Sequence, residues 1–227
     1  MSPRARSRSG ESSSALPEDA AAHARAASRA FGAAAPRATR YAQLLATVAI
    51  ERGLIGPREA ERIWTRHLFN SAVLGELVAP SASVVDVGSG AGLPGIPLAL
   101  ARPDLRVLLL EPMARRVEFL EECVAELALD NVSVRRGRAE DRLPTRADVV
   151  VARAVAPLAG LARLAFGLCR PDGVLLALKG AKAAEEVDEL VRQGGFVAVR
   201  HTLTDAAGDA ATVVEVRRAA KQGRKAP

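Results

Sequence analysis

The stretch from residue 84 to residue 97, VVDVGSGAGLPGIP, constrains the fold of this chain more than any other. Its first four residues are dominated by valine, as in a buried strand, and glycines follow at positions 88, 90, 92 and 95. Glycine permits positive φ angles and has no Cβ, so a flat ligand can lie against the main chain of such a loop. Pro94 suits the first turn of a following helix. The stretch predicts a strand, a bare loop and a helix, the unit that places ligands at the carboxyl edge of a doubly wound sheet.

Two cofactor classes fit this loop. Gly90, Gly92 and Gly95 satisfy G-x-G-x-x-G, the pattern of dinucleotide-binding loops. With Asp86 included, the pattern becomes D-x-G-x-G-x-G, which resembles the first motif of class I S-adenosylmethionine (SAM) methyltransferases. A pyrophosphate favours a helix N-terminus without an acid beside it, whereas SAM carries a net positive charge. The position of Asp86 therefore favours SAM over NAD(P).

The rest of the chain alternates between strand and helix patterns, which is typical of a mostly parallel sheet. After the first strand, the sequence predicts strands at 106–110, 131–135, 147–152, 173–178, 196–201 and 211–216, separated in the parallel part by amphipathic helices. The last two strands are expected to form an antiparallel hairpin. Two helices, 41–52 and 57–78, precede the sheet. The predicted fold class is α/β, a Rossmann-like class I SAM methyltransferase sheet with an N-terminal helical extension.

Composition divides the chain into four predicted segments. Residues 1–35 form a basic tail, disordered or weakly helical, residues 36–80 a helical cap, residues 81–217 the methyltransferase domain, and residues 218–227 a basic disordered tail. Residues 1–40 hold seven arginines against three acids, and residues 217–227 hold five basic residues and no acid. The formal net charge of +6 therefore lies in the two ends. Basic ends on a near-neutral body indicate either nonspecific attraction to a polyanion or flexible, solvated tails without a partner.

Compartment and metal content are constrained by what the sequence lacks. No uncharged apolar run is long enough to cross a membrane, and the arginine- and serine-rich N-terminus has no apolar leader segment after it. Cys123 and Cys169 lie far apart, the first inside a helical pattern and the second at the end of a predicted helix, without the spacing of metal ligands. We expect reduced cysteines, a cytoplasmic protein, no membrane association and no metal site.

Glu111 is a second candidate binding residue. It ends the second predicted strand, 21 residues after Gly90. In this class of fold an acid at that position holds the two ribose hydroxyls of the cofactor by bidentate hydrogen bonding. The sequence therefore predicts that Glu111 contacts the ribose.

Four motifs together resemble the RsmG family, also called GidB. They are Arg66-His67-x-x-Asn70-Ser71, the glycine stretch with its Leu-Pro-Gly-Ile-Pro extension (residues 86–97), Ala152-Arg153-Ala154 and Ala177-Leu178-Lys179-Gly180. The resemblance covers roughly residues 40–216. Two positions differ from the usual family pattern, which often has Asp where Asn70 stands and Phe where Val155 stands.

The resemblance implies methylation of N7 of a guanine in the 530 loop of 16S rRNA, with SAM as cofactor and 16S rRNA or the small ribosomal subunit as partner of a monomeric enzyme. It also implies the cofactor contacts, which with Glu111 are Gly88, Gly90, Leu93, Ala139, Glu140 and Arg153. Arg153 is expected at the methionine end of SAM, and Ala139 and Glu140 at its adenine. His67 and Lys179 are expected on the RNA side, as positioning residues that contact phosphate and not as acids or bases.

Other methyl acceptors fit the sequence less well. Amino-group methylation in this superfamily uses an Asn/Asp-Pro-Pro-aromatic motif after the fourth strand, where this chain has Ala152-Arg153-Ala154-Val155. Carbon-5 methylation needs a cysteine in the crevice, and neither cysteine is suitably placed. Two other functional classes stay open at this point: an NAD(P)-dependent oxidoreductase that uses Gly90-x-Gly92-x-x-Gly95, and a noncatalytic RNA-binding module.

Overall fold

A single seven-stranded sheet organises the structure, a computed structural model that describes residues 17–141, 143–153 and 155–220. Its strands, in chain order, are β1 (Ser83–Val87), β2 (Arg106–Glu111), β3 (Val132–Arg136), β4 (Ala147–Arg153), β5 (Cys169–Lys179), β6 (Phe196–Thr204) and β7 (Ala210–Arg218). The spatial order is β3-β2-β1-β4-β5-β7-β6. Only β7 runs against its neighbours, pairing antiparallel with both β5 and β6. The predicted mostly parallel sheet with a terminal antiparallel hairpin is confirmed.

The glycine stretch lies at the middle of the parallel part. Asp86 of β1 is in register with Leu109 of β2 on one side and with Val151 of β4 on the other. A strand flanked on both sides and covered on both faces must be apolar throughout, which explains the valines around Asp86. Because β1, β2, β4 and β5 are parallel, their carboxyl ends meet at one edge of the sheet, and the predicted binding residues that follow them converge there.

Helices cover both faces of the sheet. One face packs against α4 (Gly95–Ala101) and α5 (Ala114–Glu126), and the other against α6 (Leu158–Leu168) and α7 (Ala183–Gln193). The alternation of side chains along the strands divides the core accordingly. Leu109 and Val151 lie in the first of these two apolar clusters, and Leu110 and Val150 in the second.

The chain before the sheet forms a helical layer on the α4 face. It comprises α1 (Pro17–Phe31), a 3₁₀ turn (Gly32–Ala34) and α2 (Ala35–Leu44), which continues as a π-helical turn (Leu45–Ala49). Ala26, Ala27 and Phe31 of α1 are buried in the same cluster as the first sheet face. The folded layer therefore begins within the segment that the sequence assigns to a basic tail. The rest of that tail, residues 1–16, lies outside the described residues, as do residues 221–227 of the C-terminal tail.

The second predicted helix, 57–78, is irregular. It consists of a 3₁₀ segment (Pro57–Arg62), a π-helical segment (Ile63–Phe69), the short α3 (Asn70–Ala72) and a second 3₁₀ segment (Val73–Leu77). π-Helical turns occur frequently at functional sites, and this one carries the Arg66-His67 motif. Simple helical periodicity could not predict these changes of pitch.

Two further findings concern the cysteines and membrane association. Cys123 and Cys169 are both free and buried, and burial raises their pKa values to about 12 and about 11. Thiols with such pKa values are unreactive. Within the described residues, no helix is long and apolar enough to span a bilayer.

Candidate cofactor and acceptor site

The glycines after β1 have two different structural roles. Gly88, Gly90 and Gly92 have positive φ angles of 67°, 60° and 98°. Among the described residues, a Cβ on Gly90 would have only the carbonyl oxygen of Gly88 within 4 Å, at 3.8 Å, so Gly90 adjoins open space in this part of the structure. A Cβ on Gly92 would lie 2.8 Å from the hydroxyl of Tyr41. A Cβ on Gly95 would overlap Leu109 and lie 2.7 Å from a carboxylate oxygen of Asp86. Gly92 and Gly95 thus permit tight packing, whereas Gly90 leaves a bare surface for a ligand.

Asp86 acts within the fold and does not face the crevice. Its side chain is fully buried, and its Oδ2 accepts a hydrogen bond from the backbone N–H of Gly95 at 3.0 Å, at the start of α4. Oδ1 has no partner within the described part of the chain. Burial raises the pKa of Asp86 to about 7. The position of Asp86 beside the loop favoured a cationic cofactor, but the buried side chain shapes the loop that a cofactor would contact and presents no charge at its surface.

Glu111 links the end of β2 to the glycine loop. Its buried carboxylate accepts hydrogen bonds from the backbone N–H of Gly90 at 2.9 Å and from that of Met113 at 3.0 Å. A carboxylate has about four lone-pair sites, so both oxygens can still accept hydroxyl groups. Glu111 is thus held rigidly beside the bare surface at Gly90. Its contact with a ribose stays a prediction.

Tyr41 is a structural part of the site that the sequence did not indicate. It lies on α2, 50 residues before the loop, and its buried hydroxyl donates a hydrogen bond to the carbonyl of Ala91 at 2.7 Å. Burial raises the pKa of Tyr41 well above its ordinary value, so the hydroxyl keeps its proton. Nothing in the local sequence distinguishes this tyrosine from an ordinary core aromatic residue.

The remaining predicted cofactor contacts lie around the same edge. Leu93 is half-buried within the loop itself. Ala139 and Glu140 follow β3; Ala139 is half-buried against the apolar cluster of the α6 face, and Glu140 is exposed. The role of Ala139 and Glu140 at an adenine ring stays a prediction.

Arg153, at the end of β4, lies in a chain of polar contacts. Its Nη1 donates to the carbonyl of Arg66 at 3.1 Å, and its Nη2 donates to Nδ1 of His67. The other ring nitrogen of His67 lies 2.7 Å from Oε2 of Glu59. His67 itself is only 5% exposed. The structure thus brings together two residues of different predicted roles, Arg153 at the cofactor and His67 at the RNA, and adds Glu59, which the sequence did not indicate.

Lys179, at the end of β5, is also engaged within the protein. Its ammonium donates to the carbonyl of Ala156 at 2.9 Å and to Oε2 of Glu186 at 2.7 Å, and its side chain is 9% exposed. The same oxygen of Glu186 accepts from the backbone N–H of Leu158. Against the opposing effect of burial, the hydrogen bond from Lys179 lowers the pKa of Glu186. Neither His67 nor Lys179 therefore presents a free group to a phosphate in this structure.

An open cleft of about 660 Å³ lies beside these residues, at the carboxyl ends of β4 and β5. Arg153, Arg66, Asn70, Lys179 and Lys182 are among the residues that line it. The cleft thus adjoins the predicted methionine end of a cofactor, where a methyl acceptor must bind.

A family model described as rRNA small subunit methyltransferase G matches residues 34–211. The chain belongs to this family. The ribosomal RNA small subunit methyltransferase G of Mycobacterium sp. (strain JLS) is 54% identical over 198 residues, which cover 83% of this chain and 88% of that protein. The protein of the same name from Thermobifida fusca is 58% identical over 165 residues, covering 72% and 70%.

The fold comparison agrees. The O-methyltransferase from Bacillus cereus in complex with SAH superimposes with a TM-score of 0.52 at 14% identity, over 79% of this chain and 91% of that one. At that identity the likeness establishes the fold alone. The family to which the chain belongs is one of SAM-dependent methyltransferases, so the SAM interpretation of the glycine loop is confirmed over the dinucleotide one.

Proposed function

We propose that this protein transfers the methyl group of SAM to N7 of a guanine in the 530 loop of 16S rRNA, by direct in-line attack and without a general base. The observation that carries the proposal is the family match over residues 34–211, whose motifs converge on one edge of the sheet. The relatives' names describe enzymes of small-subunit ribosomal RNA. The guanine, its ring nitrogen and the mechanism are the proposed part.

The cofactor is assigned along the edge from β3 to β4. The adenine lies near Ala139 and Glu140, the ribose between Glu111 and the bare surface of Gly90, and the carboxylate at Arg153. The proposal is supported by the order of these residues, which follows the order of neighbouring strands. SAM supplies the electrophilic methyl group, and the protein residues hold its two ends.

The acceptor guanine is assigned to the cleft beside Arg153. The exposed cations Arg66 and Lys182 line this cleft, and Arg200 lines an adjoining cavity that shares Asn70, Lys179 and Gly180 with it. Cations on the rim suit an RNA backbone. We expect these exposed side chains to contact phosphate. The RNA contacts predicted for His67 and Lys179 would require both residues to exchange their present protein partners.

A mechanism without a base agrees with the state of the titratable groups near the cleft. Burial and the charge of Arg153 lower the pKa of His67 to about 4, so the ring is neutral near pH 7. Its unprotonated nitrogen, Nδ1, already accepts a hydrogen bond from Arg153 and is not free to take a proton from a substrate. Oε2 of Glu186 accepts hydrogen bonds from Lys179 and from the backbone N–H of Leu158. Guanine N7 carries an in-plane lone pair and loses no proton on methylation, so none of these groups needs to be free. Catalysis then depends on holding the guanine in line with the methyl–sulfur bond.

The direct test is to map N7-methylguanine in 16S rRNA from cells with and without this protein. The proposal expects one methylated position in the 530 loop, absent from the deletion strain and restored by the intact gene. A methyl group on another base or another ring atom would refute the assignment of the acceptor. Binding of rRNA and SAH without methylation would instead indicate a noncatalytic RNA-binding module.

The mechanism is tested by single-turnover methylation at saturating SAM and rRNA between about pH 6 and pH 9. We expect a flat profile, because no group changes its protonation in the chemical step. The control is His67→Ala under the same conditions. A rising limb in the wild type that disappears in His67→Ala, with rRNA affinity unchanged, would show that His67 is a base and that N7 is not the acceptor.

A further inference from the structure

The contacts around Arg153 form a chain that reaches back to the irregular helical segments at residues 57–69. Glu59 lies in the 3₁₀ segment Pro57–Arg62, directly before the π-helical segment Ile63–Phe69 that carries His67. Oε2 of Glu59 is 2.7 Å from Nε2 of His67. Nδ1 of His67 faces Nη2 of Arg153, and Nη1 of Arg153 reaches the carbonyl of Arg66. Two nitrogens of the Arg153 guanidinium are thus held by two consecutive residues, Arg66 and His67.

The chemistry of these groups determines the tautomer of His67. An arginine only donates hydrogen bonds, so Nδ1 of His67 must accept and carries no proton. The single ring proton is then on Nε2, which lies 2.7 Å from Oε2 of Glu59, although the angle of this contact is not that of a hydrogen bond. The charged groups around the ring are Glu59, Arg153 and Arg66, whose guanidinium lies 3.6 Å from Glu59. With two cations and one carboxylate around it, the ring stays neutral.

A guanidinium fixed in this way suits the recognition of a carboxylate. Arginine has five donors in a rigid fork, and two of them are used here by His67 and Arg66. Orienting the fork before the ligand arrives reduces the conformational entropy that is lost on binding. Burial lowers the pKa of Arg153, but an arginine remains charged, and Glu59 acts in the opposite direction to burial.

We propose that Glu59 and His67 are positioning residues, which hold the guanidinium of Arg153 ready for the carboxylate of SAM. The inference rests on the proposed function, in which Arg153 binds the methionine end of the cofactor. It assigns His67 to the cofactor side of the site, and it gives Glu59, which makes no contact with the cleft, a part in cofactor affinity. The competing interpretation is that the pair only stabilises the fold.

The test compares two ligands that differ at the amino-acid end. S-adenosylhomocysteine keeps the carboxylate, and 5′-methylthioadenosine keeps the adenosine but lacks the amino acid. Titration calorimetry with His67→Phe and Glu59→Ala is expected to show about tenfold to a hundredfold weaker binding of the first ligand. The affinity for the second ligand should be unchanged. Glu59→Gln, which keeps the length of the side chain and a polar oxygen beside Nε2, should bind the first ligand better than Glu59→Ala.

Two further variants make the test specific. Glu61→Ala removes an exposed carboxylate from the same 3₁₀ segment and should bind both ligands as the wild type does. In an Arg153→Ala background, His67→Phe should weaken S-adenosylhomocysteine binding no further, because the residue through which it acts is gone.

Equal losses for the two ligands would show a structural role and overturn the inference. So would unchanged binding of S-adenosylhomocysteine by both variants, a result that leaves the proposed function intact. If the wild type itself does not bind S-adenosylhomocysteine, the cofactor assignment fails and the inference fails with it. If His67→Phe does not fold, the comparison of Glu59→Ala with Glu59→Gln decides.

Discussion

At the scale of single residues, the site depends on two buried carboxylates with different tasks. Glu111 is held by the N–H groups of Gly90 and Met113 and keeps lone pairs for a ligand. Asp86 is held at the start of α4 and has an oxygen without a partner in the described structure. A sequence pattern identifies both as acids at strand ends. The structure shows that both are buried and that they support different parts of the loop, Glu111 at Gly90 and Asp86 at Gly95. The contact of Glu111 with a ribose stays a prediction.

Replacing Glu111 should weaken cofactor binding strongly. Loss of a bidentate, charge-assisted contact is expected to raise the dissociation constant of S-adenosylhomocysteine tens- to a hundredfold in Glu111→Ala, or about 2 to 3 kcal/mol. Calorimetry measures the change, with Glu121→Ala, an exposed carboxylate on α5, as the control. Unchanged affinity in Glu111→Ala would refute the ribose assignment.

Asp86 should make the stability of the fold depend on pH. Because burial raises its pKa to about 7, the folded state binds this proton more tightly than the unfolded state between about pH 4 and pH 7. The free energy of unfolding therefore falls as the pH rises through this window. Asp86→Asn lacks this titrating group. As the pH rises from about 4 to 7, the free energy of unfolding of the variant should therefore increase relative to that of the wild type by on the order of a few kcal/mol. Urea denaturation across the window measures it; parallel pH profiles would contradict the assignment.

At the scale of elements, α2 supports the glycine loop through one hydrogen bond. Tyr41→Phe leaves the buried carbonyl of Ala91 without its donor, which should lower the free energy of unfolding by about 1 to 3 kcal/mol. The same change should weaken S-adenosylhomocysteine binding, because the loop loses its support. Thr39→Ala, which removes an exposed hydroxyl of the same helix, is the matched control in urea denaturation. A loss no larger than that of Thr39→Ala would show that α2 does not support the loop.

The elements that the sequence predicted well are those with a strong local pattern. The valines of β1 and the apolar run of β2 are typical of buried strands. The glycines between β1 and α4 identified the loop, and the distance of 21 residues from Gly90 identified Glu111. The start of β5 at Cys169 was missed, because Arg170-Pro171-Asp172 resembles a turn and the ladder is irregular there. Periodicity also could not predict the π-helical and 3₁₀ segments before the sheet.

The contacts that complete the site could not be predicted from the sequence, because they join residues that are far apart in the chain. Tyr41 and the loop are 50 residues apart, and His67 and Arg153 are 86 apart. Each pair meets because the helical segments that precede the sheet in the chain pack against it. From the sequence, His67 was a polar residue within a motif, and its partner could not be identified. Its burial between Glu59 and Arg153 is the basis of the cofactor-side role proposed above, and its contact with RNA stays a prediction.

At the scale of the whole molecule, the boundary of the helical layer changes how the basic N-terminus should be tested. A deletion of residues 1–34 would remove α1, whose Phe31 is buried, and should lower the melting temperature. A deletion of residues 1–16, which hold three arginines and one acid, should leave the melting temperature unchanged.

The shorter deletion should weaken rRNA binding in a salt-dependent way. Each phosphate contact that is lost reduces the slope of log affinity against log salt by about 0.7 to 0.9. We expect a lower rRNA affinity at low salt, a flatter slope and the same methylated guanine. A full-length variant with Arg4, Arg6 and Arg8 changed to alanine separates charge from length. Methylation of a different guanine by either variant would show that this segment selects the base.

The place of β7 in the sheet has a consequence for synthesis of the protein. β7 is the last strand in chain order, yet it lies between β5 and β6. While the polypeptide is being made, β5 therefore exposes its unpaired backbone and the apolar residues 174–178 until residues 210–218 have been translated. Such an open edge pairs readily with other chains. A nascent chain that stalls before β7 is thus an aggregation hazard, even though every residue of the glycine loop and of the cofactor edge has already been made.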